Sequence, residues 1–486
     1  MNSLKFALDF SFLYDVSYLG FTSKILSFFM SSSIIIFSPL GVIEGGEGVG
    51  NYILLGLNRK EVKIMKVKEE KGIIMVELVS KKKKVRCPKC EQFTSSVHDV
   101  RKPIKSKYLD TAGQQVILEI TKRRFTCHKC KKTFTEALDL SSKDGSISNK
   151  LKIQIRKDLL DYNLSMRKIA ERNHVSDYVV RRELEEATST IPDYIKNLPK
   201  VISFDEFKAD TTEGKYAFIL NDPIHKKVLD ILPNRKKEYL EQYFTYTENR
   251  HSVEFVISDM YEPYLQVQKI MFPHAKYVVD RFHYIRYIMD ALDKVRIRWQ
   301  KEYGEKSKEY KLLKNKKNVS LLRRYGNDIN WWVEVSRYKN GHMIKVLPST
   351  VLDELLSINK EIKYAYQLKE MFLDIINHAT YETAKTELEN FIDICKCSEL
   401  EEFIEASSTI NNWLEYICNS FLDEIYSNGF TEGTNNKIKV IKRIGFGYKN
   451  FNFFRKRILY IFNNKIGGGR GKKDNKKTNK KEIGNS

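Results

Sequence analysis

Three acids stand where their surroundings could make them metal ligands. Asp205 lies inside the apolar run "VISFDEF", Asp259 ends "VEFVISD", and Glu432 heads the Lys-, Arg- and Asn-rich run "EGTNNKIKVIKR". Hard divalent cations such as Mg2+ (or Mn2+) take oxygen ligands. Two such ions bridged by carboxylates can activate an attacking oxygen and stabilise a leaving one in in-line phosphodiester chemistry. Each acid also has an ordinary explanation: Asp205 as an ion-pair partner, Asp259 as a strand-end cap, Glu432 as a charge favoured by a helix N-terminus. Glu206 neighbours Asp205 but points to the opposite face of a strand, so it is the weaker ligand.

A second group is thiol chemistry. "CPKC" and "CHKC" place Cys87, Cys90, Cys127 and Cys130 in two tight turns joined by β-type sequence. Four thiolates fill a tetrahedral Zn2+ site and leave no open position, so the zinc is expected to be structural; His98 and His128 are spare. Lys81–Lys84, Lys122, Arg123 and Arg124 flank the knuckles and could contact phosphates. Cys395, Cys397 and Cys418 fall in helical pattern. An odd cysteine count without a convincing secretory signal points to a reducing, cytoplasmic setting.

The chain has 486 residues with Lys+Arg 84 against Asp+Glu 62, a formal net charge of +22. Several domains are expected, with a polyanionic partner, most simply nucleic acid. Residues 1–50 do not match the rest: they hold two Lys and four acids, and the uncharged stretch 25–43 is broken by Ser, Pro and Gly. We read them as an atypical extension rather than a membrane anchor.

The elements that must position the acids follow from periodicity. Residues 51–80 alternate as a β-hairpin, and the region 51–145 forms a zinc-ribbon DNA-binding domain. "LSMRKIAERNHVSDYVVRRELEEA" reads as a helix-turn-helix within 146–198, with Ser165 and Ser176 as caps. Ile169, Ala170, Val179, Val180 and Leu184 face inward, while Tyr178, Arg181 and Arg182 face a major groove. From 199 the order is β-β-β-α-β-α-β-α: three strands in a meander, then parallel strands with crossover helices. That is the order of a ribonuclease-H-like sheet, catalytic core 199–290. It brings Asp205, in its first strand, beside Asp259, at the end of its fourth. Residues 291–425 read as an all-helical insertion, 426–464 as the returning helix of the core with the third acid, and 465–486 as a disordered basic tail. The fold class is thus multidomain α+β.

Taken together, "CPKC…CHKC", "FDEF", "SDMYEPY", "FPHAKYVVDRFH" and "SNGFTEGTNNKIKVIKRIGFGYKNF" resemble the DDE transposases of bacterial insertion sequences, of the ISL-three type, over about residues 52–462. The resemblance implies an enzyme that cuts and joins DNA, with Asp205, Asp259 and Glu432 as Mg2+ ligands. It matches Asp280 and His283 to a D-x-x-H element that either orients the site or packs; Asp280 is also a rival for the second ligand. On the Glu432 helix, Asn436, Lys439 and Arg443 share that acid's face and are expected to hold phosphates. Trp331 and Trp332, in the insertion, are expected to be core residues, with base stacking as the alternative. The expected partners are terminal inverted repeats, target DNA and further copies of the chain on DNA, with no membrane; the expected location is the cytoplasm, on the nucleoid when DNA-bound. The competing readings are a DNA-binding regulator with an inactive catalytic domain and a membrane-tethered DNA-binding protein.

Overall fold

A computed structural model describes residues 49–464 except 112, 139, 141–145, 210, 211, 213, 340, 341, 424–428, 446, 447 and 449. The extension before 49, with its stretch 25–43, and the tail after 464 lie outside the described residues. So do the side chains of 49, 337–339, 429, 431 and 432, which includes the carboxylate of Glu432. Among the described residues no helix is long and apolar enough to cross a membrane. The chain divides into two compact units, 1–147 and 148–486.

In the first unit the expected hairpin starts later than residue 51. Residues Val49–Leu54 form helix α1 instead, because Tyr52 and Leu55 enter the core at helical spacing. The Tyr52 hydroxyl accepts the Ile64 N–H at 2.9 Å and ties α1 to the sheet. The antiparallel hairpin is β1 (Val62–Glu70) and β2 (Ile73–Ser80), turned through Lys71 and Gly72 at φ 53° and 75°. A two-residue turn needs that left-handed pair to follow the strand twist. Next come β3 (Val85–Arg86), β4 (Phe93–Thr94), β5 (Val97–Val100), β6 (Ile104–Lys107), β7 (Gln115–Thr121), β8 (Arg123–Thr126) and β9 (Thr133–Thr135). They make a four-stranded sheet β1-β2-β7-β6, a three-stranded sheet β5-β8-β9 and the β3-β4 pair.

The second unit opens with α2 (Asn149–Asp158), α3 (Met166–Arg172) and α4 (Asp177–Ala187). Ser148 and Ser165 cap α2 and α3 by accepting the Leu151 and Lys168 N–H groups, each at 3.1 Å. Ser176 stands at the start of α4 but, contrary to expectation, its side chain makes no capping bond; its carbonyl accepts the Val179 and Val180 N–H groups.

The large sheet follows: β10 (Val201–Lys208), β11 (Tyr216–Asp222), β12 (Lys227–Leu232), α5 (Lys237–Thr245), β13 (Phe255–Ser258), α6 (Glu262–Met271), β14 (Lys276–Val279) and α7 (Arg281–Glu302). Its strand order is β12-β11-β10-β13-β14. The first three strands are antiparallel, and β13 and β14 run parallel to β10. Alternation along β10 sends Phe204 to one face, with Phe218, Phe244 and Tyr264, and Phe207 to the other, with Ile219, Ile438 and Phe454. Both faces are therefore covered, which buried parallel strands require. Burying one such Phe is worth about 1.5–3 kcal/mol.

The insertion holds α8 (Lys308–Lys314), α9 (Lys316–Arg323), β15 (Val335–Lys339), β16 (His342–Val346), α10 (Pro348–Leu356), α11 (Lys360–His378), α12 (Tyr381–Lys396), α13 (Glu401–Asn412) and α14 (Leu414–Cys418). The all-helical expectation is corrected here: β15 and β16 pair as an antiparallel hairpin. The alternation of "VSRYK" and "HMIKV" around an Asn-Gly dipeptide outweighs the helical surroundings. The insertion helices share one apolar core with α7 and the sheet.

The chain returns as α15 (Gly429–Ile444) and α16 (Phe451–Asn463). Helix α16 ties the unit together. Arg455, buried, donates to both oxygens of buried Asp230 on β12 and to the Pro192 carbonyl. Arg457 is 1% exposed and donates to the Asp161 and Leu164 carbonyls in the α2–α3 connection.

Candidate functional site

The two knuckles are the same turn built twice. The Cys87 and Cys127 N–H groups donate to the Gln92 and Lys132 carbonyls, each at 2.9 Å. Glu91 and Lys131, one residue past the second cysteine of each pair, hold φ of 62° and 57°. The four sulfur atoms lie within 4.8 Å of one another, with Cys87 Sγ 3.6 Å from Cys130 Sγ and Cys90 Sγ 3.4 Å from Cys127 Sγ. All four are free thiols. Hydrogen bonding from the Cys130 backbone N–H, helped by that of Lys129, pulls the Cys127 thiol down to about 6, the thiolate form that a metal binds. The donor set fits one structural Zn2+.

The flanking cations are not all free for DNA. Arg123, expected as a phosphate contact, is committed instead. It donates to both oxygens of buried Glu136 and to the Lys82 carbonyl. A buried carboxylate needs that partner, and the fork of Arg matches it.

The carboxylate group is assembled by register. Strand β10 pairs with β13 as Val201↔Phe255, Ile202↔Val256 and Ser203↔Ile257. Strand β13 pairs with β14 as Phe255↔Lys276 through Ser258↔Val279. Continued by one step or two, these registers bring Asp205, Asp259 and Asp280 level across three parallel strands. Asp259 follows the last residue of β13, and Asp280 follows β14 as the cap of α7, accepting the Phe282 N–H. The Tyr277 hydroxyl donates to the Asp259 carbonyl at 2.8 Å, and Ser258 Oγ bridges Asp259 and the Phe204 carbonyl. His283 Nε2 lies 3.7 Å from Asp280 Oδ2.

Asp205 Oδ1 accepts the Glu206 N–H at 2.7 Å, and its Oδ2 accepts Asn435 Nδ2 at 2.8 Å. Burial first, then the neighbouring charges of Glu206, Asp259 and Asp280, push the Asp205 carboxyl up to about 7. Burial, with Asp280 beside it, pushes Asp259 up to about 6. These acids therefore crowd one another in a buried setting, while among the described residues only the four cysteines bring three or more ligand atoms together closely enough for one ion.

Glu206 points the other way, as the strand alternation predicts. Its carboxylate pairs with Arg235 and accepts the Tyr264 hydroxyl at 3.1 Å. Arg235 lies between the rings of Tyr216 and Tyr261, 4.4 and 4.6 Å from their centroids.

Glu432 lies in α15 by its backbone. Asn436, Lys439 and Arg443 are exposed along that helix, while Thr434, Asn435, Ile438 and Ile441 are buried. In α4, Tyr178 is 71% exposed. Arg181 is exposed with its guanidinium over the Phe453 ring, and Arg182 is half-buried beside Glu183. The core expectation for the tryptophans holds for Trp331, which is half-buried against the apolar core and donates to the Gly326 carbonyl, and is corrected for Trp332, which is 89% exposed. They stand side by side before a hairpin, so only one side of the chain can face the helices.

Asn435 and Arg235 touch the acids and were not singled out in the sequence. For Asn435 a signal existed: it sits three residues before Ile438, on the apolar side of α15, where a polar residue needs a partner. For Arg235 no local pattern pointed to Glu206.

A zinc-finger family described for the transposases of IS204, IS1001, IS1096 and IS1165 matches residues 83–130. A transposase family, the DDE type of ISL3, matches residues 202–458. The transposase for insertion sequence element IS1001 of Bordetella parapertussis is 22% identical over 381 residues, 77% of this chain and 88% of the relative. A Lactococcus lactis subsp. lactis protein named ATP-dependent protease is 29% identical over 129 residues, 26% of this chain and 40% of that protein. Because the family match spans more than half of the chain, the chain belongs to the DDE transposases of the ISL3 type.

Proposed function

We propose that this transposase cuts DNA at the ends of an insertion sequence and joins the freed ends to target DNA, using Asp205, Asp259 and Glu432 as ligands of two Mg2+ (or Mn2+) ions. The observation that carries the reading is the shared level of Asp205 and Asp259 on adjacent parallel strands, with α15, the helix of Glu432, held to Asp205 by Asn435. The strand order 3-2-1-4-5, with helices on both faces, supports a ribonuclease-H-like core.

When bound, the ions would stabilise charge on the phosphate oxygens and activate the attacking oxygen. Water attacks the phosphorus at the element end, the P–O3′ bond breaks, and the 3′ oxygen leaves as a hydroxyl. That hydroxyl then attacks a target phosphodiester, forming one P–O bond as another breaks. Exposed Asn436, Lys439 and Arg443 hold flanking phosphates. Helices α3 and α4 act as the helix-turn-helix, with Tyr178 and Arg181 at the groove. Asp280, occupied as the α7 cap, orients the site together with His283.

The test is Mg2+-dependent nicking of DNA carrying the element's ends. D205N, D259N and E432Q are expected to lose several orders of magnitude in rate while binding end DNA normally, with double variants little worse than singles. D280N is expected to lose less. If D280N abolishes cutting and D259N does not, the second ligand is Asp280. If the wild-type chain binds end DNA but does not cut it, the chain is a DNA-binding regulator instead; if all four variants cut normally, these acids are not the metal ligands.

A further inference from the structure

One buried side chain outside the triad touches Asp205 directly. Asn435 is 8% exposed, on the sheet-facing side of α15. Its Nδ2 donates to Asp205 Oδ2 at 2.8 Å and to the Glu206 carbonyl at 3.3 Å. The Glu206 carbonyl has no proton to give, so a flipped amide would set its oxygen against that acceptor. The orientation of Asn435 therefore follows from its partners. It leaves Oδ1 buried, and that atom has no hydrogen-bond partner among the described residues.

A buried amide oxygen without a donor is costly, and native proteins rarely tolerate one unless water or an ion completes it. Here the oxygen belongs to a residue bonded to a carboxylate that is itself crowded by acids. A neutral oxygen in such a place suits a hydrated cation: it accepts a hydrogen bond from bound water without adding charge. Resting on the metal reading of the acids, we infer that Asn435 is a positioning residue of the cleavage site. Its Nδ2 holds Asp205 in one orientation, and its Oδ1 accepts a hydrogen bond from water on the divalent cation that Asp205 binds. The same amide ties α15 to β10, so that cation binding and the docking of the Glu432 helix are coupled through one group.

The experiment uses the full-length chain, zinc-loaded, without DNA. Binding of Mn2+ is followed by the electron-paramagnetic signal of the free ion, beside the Mg2+ dependence of end cutting and the thermal midpoint. D205N should abolish Mn2+ binding. N435A is expected to weaken it by about tenfold to a hundredfold, and to raise the Mg2+ needed for half-maximal cutting by a similar factor. N435D keeps an oxygen towards the ion but loses the donor. It should bind Mn2+ better than N435A yet cut more slowly than wild type at saturating Mg2+. The inference is overturned if N435A binds Mn2+ and cuts as wild type does. It is also overturned if N435A and N435D lose binding equally and in step with a fallen thermal midpoint, which would make Asn435 a packing contact. A wild-type chain that binds no more Mn2+ than D205N would instead sink the metal reading itself, and this inference with it.

Discussion

The thiol cluster and the carboxylate cluster solve the same problem in opposite ways. Each thiol pair is set by one tight turn with its own backbone hydrogen bonds, and the two turns repeat each other atom for atom. Asp205 lies in strand β10 and Asp259 just past strand β13, and only the sheet register brings them level with each other. A structural ion can be held by local turns because its site needs only closure. On the function proposed above, the acid site must admit DNA and keep an open side, and Asp205 and Asp259 stand where strands end beside helix α15. Backbone N–H groups lower the Cys127 thiol, whereas burial and neighbouring carboxylates raise Asp205 and Asp259.

The comparison can be broken by removing one cluster and reading the other. Substituting Cys127 by Ser should remove zinc from the whole chain, from about one ion to none, and unfold the first unit; structural zinc supplies on the order of 10 kcal/mol of folding free energy. Elemental analysis and proteolysis check it, and retention of a folded 49–147 region without metal would contradict it. D205N should leave the zinc content untouched.

The second unit should fail through its long-range ties. R455M leaves Asp230 charged, buried and without its main partner, and is expected to cost about 3–5 kcal/mol in denaturant unfolding. D230N combined with R455M should recover part of that loss. If R455M alone is neutral, α16 is not the tie described above.

Recognition effects should be smaller. R181A is expected to weaken binding of end DNA by about 1–3 kcal/mol if the side chain reads a base edge. An equal loss on random DNA would make it a phosphate contact, and no loss would leave it as the partner of Phe453 alone.

The smallest effect concerns Glu136. Burial would raise its carboxyl, but the hydrogen bonds and charge of Arg123 outweigh burial and hold it below the usual carboxylate value. Its folded pKa is thus lower than its unfolded one. The stabilisation is present at neutral pH and is lost as pH falls below the ordinary Glu range through the folded value. E136Q should flatten that acid limb, measured as the pH dependence of the first unit's melting, with an unchanged limb counting against the ion pair.

Much of this was already legible in the linear chain. The knuckle spacing, the strand order from 201 to 279, the α3–α4 pair and the inward side of α4 all rest on local patterns, and the structure has them at those places. The amino-acid sequence by itself determined which four thiols could serve as zinc ligands, because each C-x-x-C turn presents its own pair, although bringing the two turns together needs the strands between them. It also determined that Asp205 and Glu206 face opposite ways, since alternation is a property of the strand. It did not determine that Asn435 rather than Asn436 touches Asp205, that Arg235 neutralises Glu206, that Arg123 is spent on Glu136, or that Trp332 stays outside the core. Those outcomes depend on which helix lies over which strand and at what rotation. A turn of one residue about a helix axis moves a side chain by about 100°, from a buried carboxylate to open solvent. Only the packing of α15 on β10, set by Ile438 and Ile441 against Phe207 and Ile219, decides that rotation.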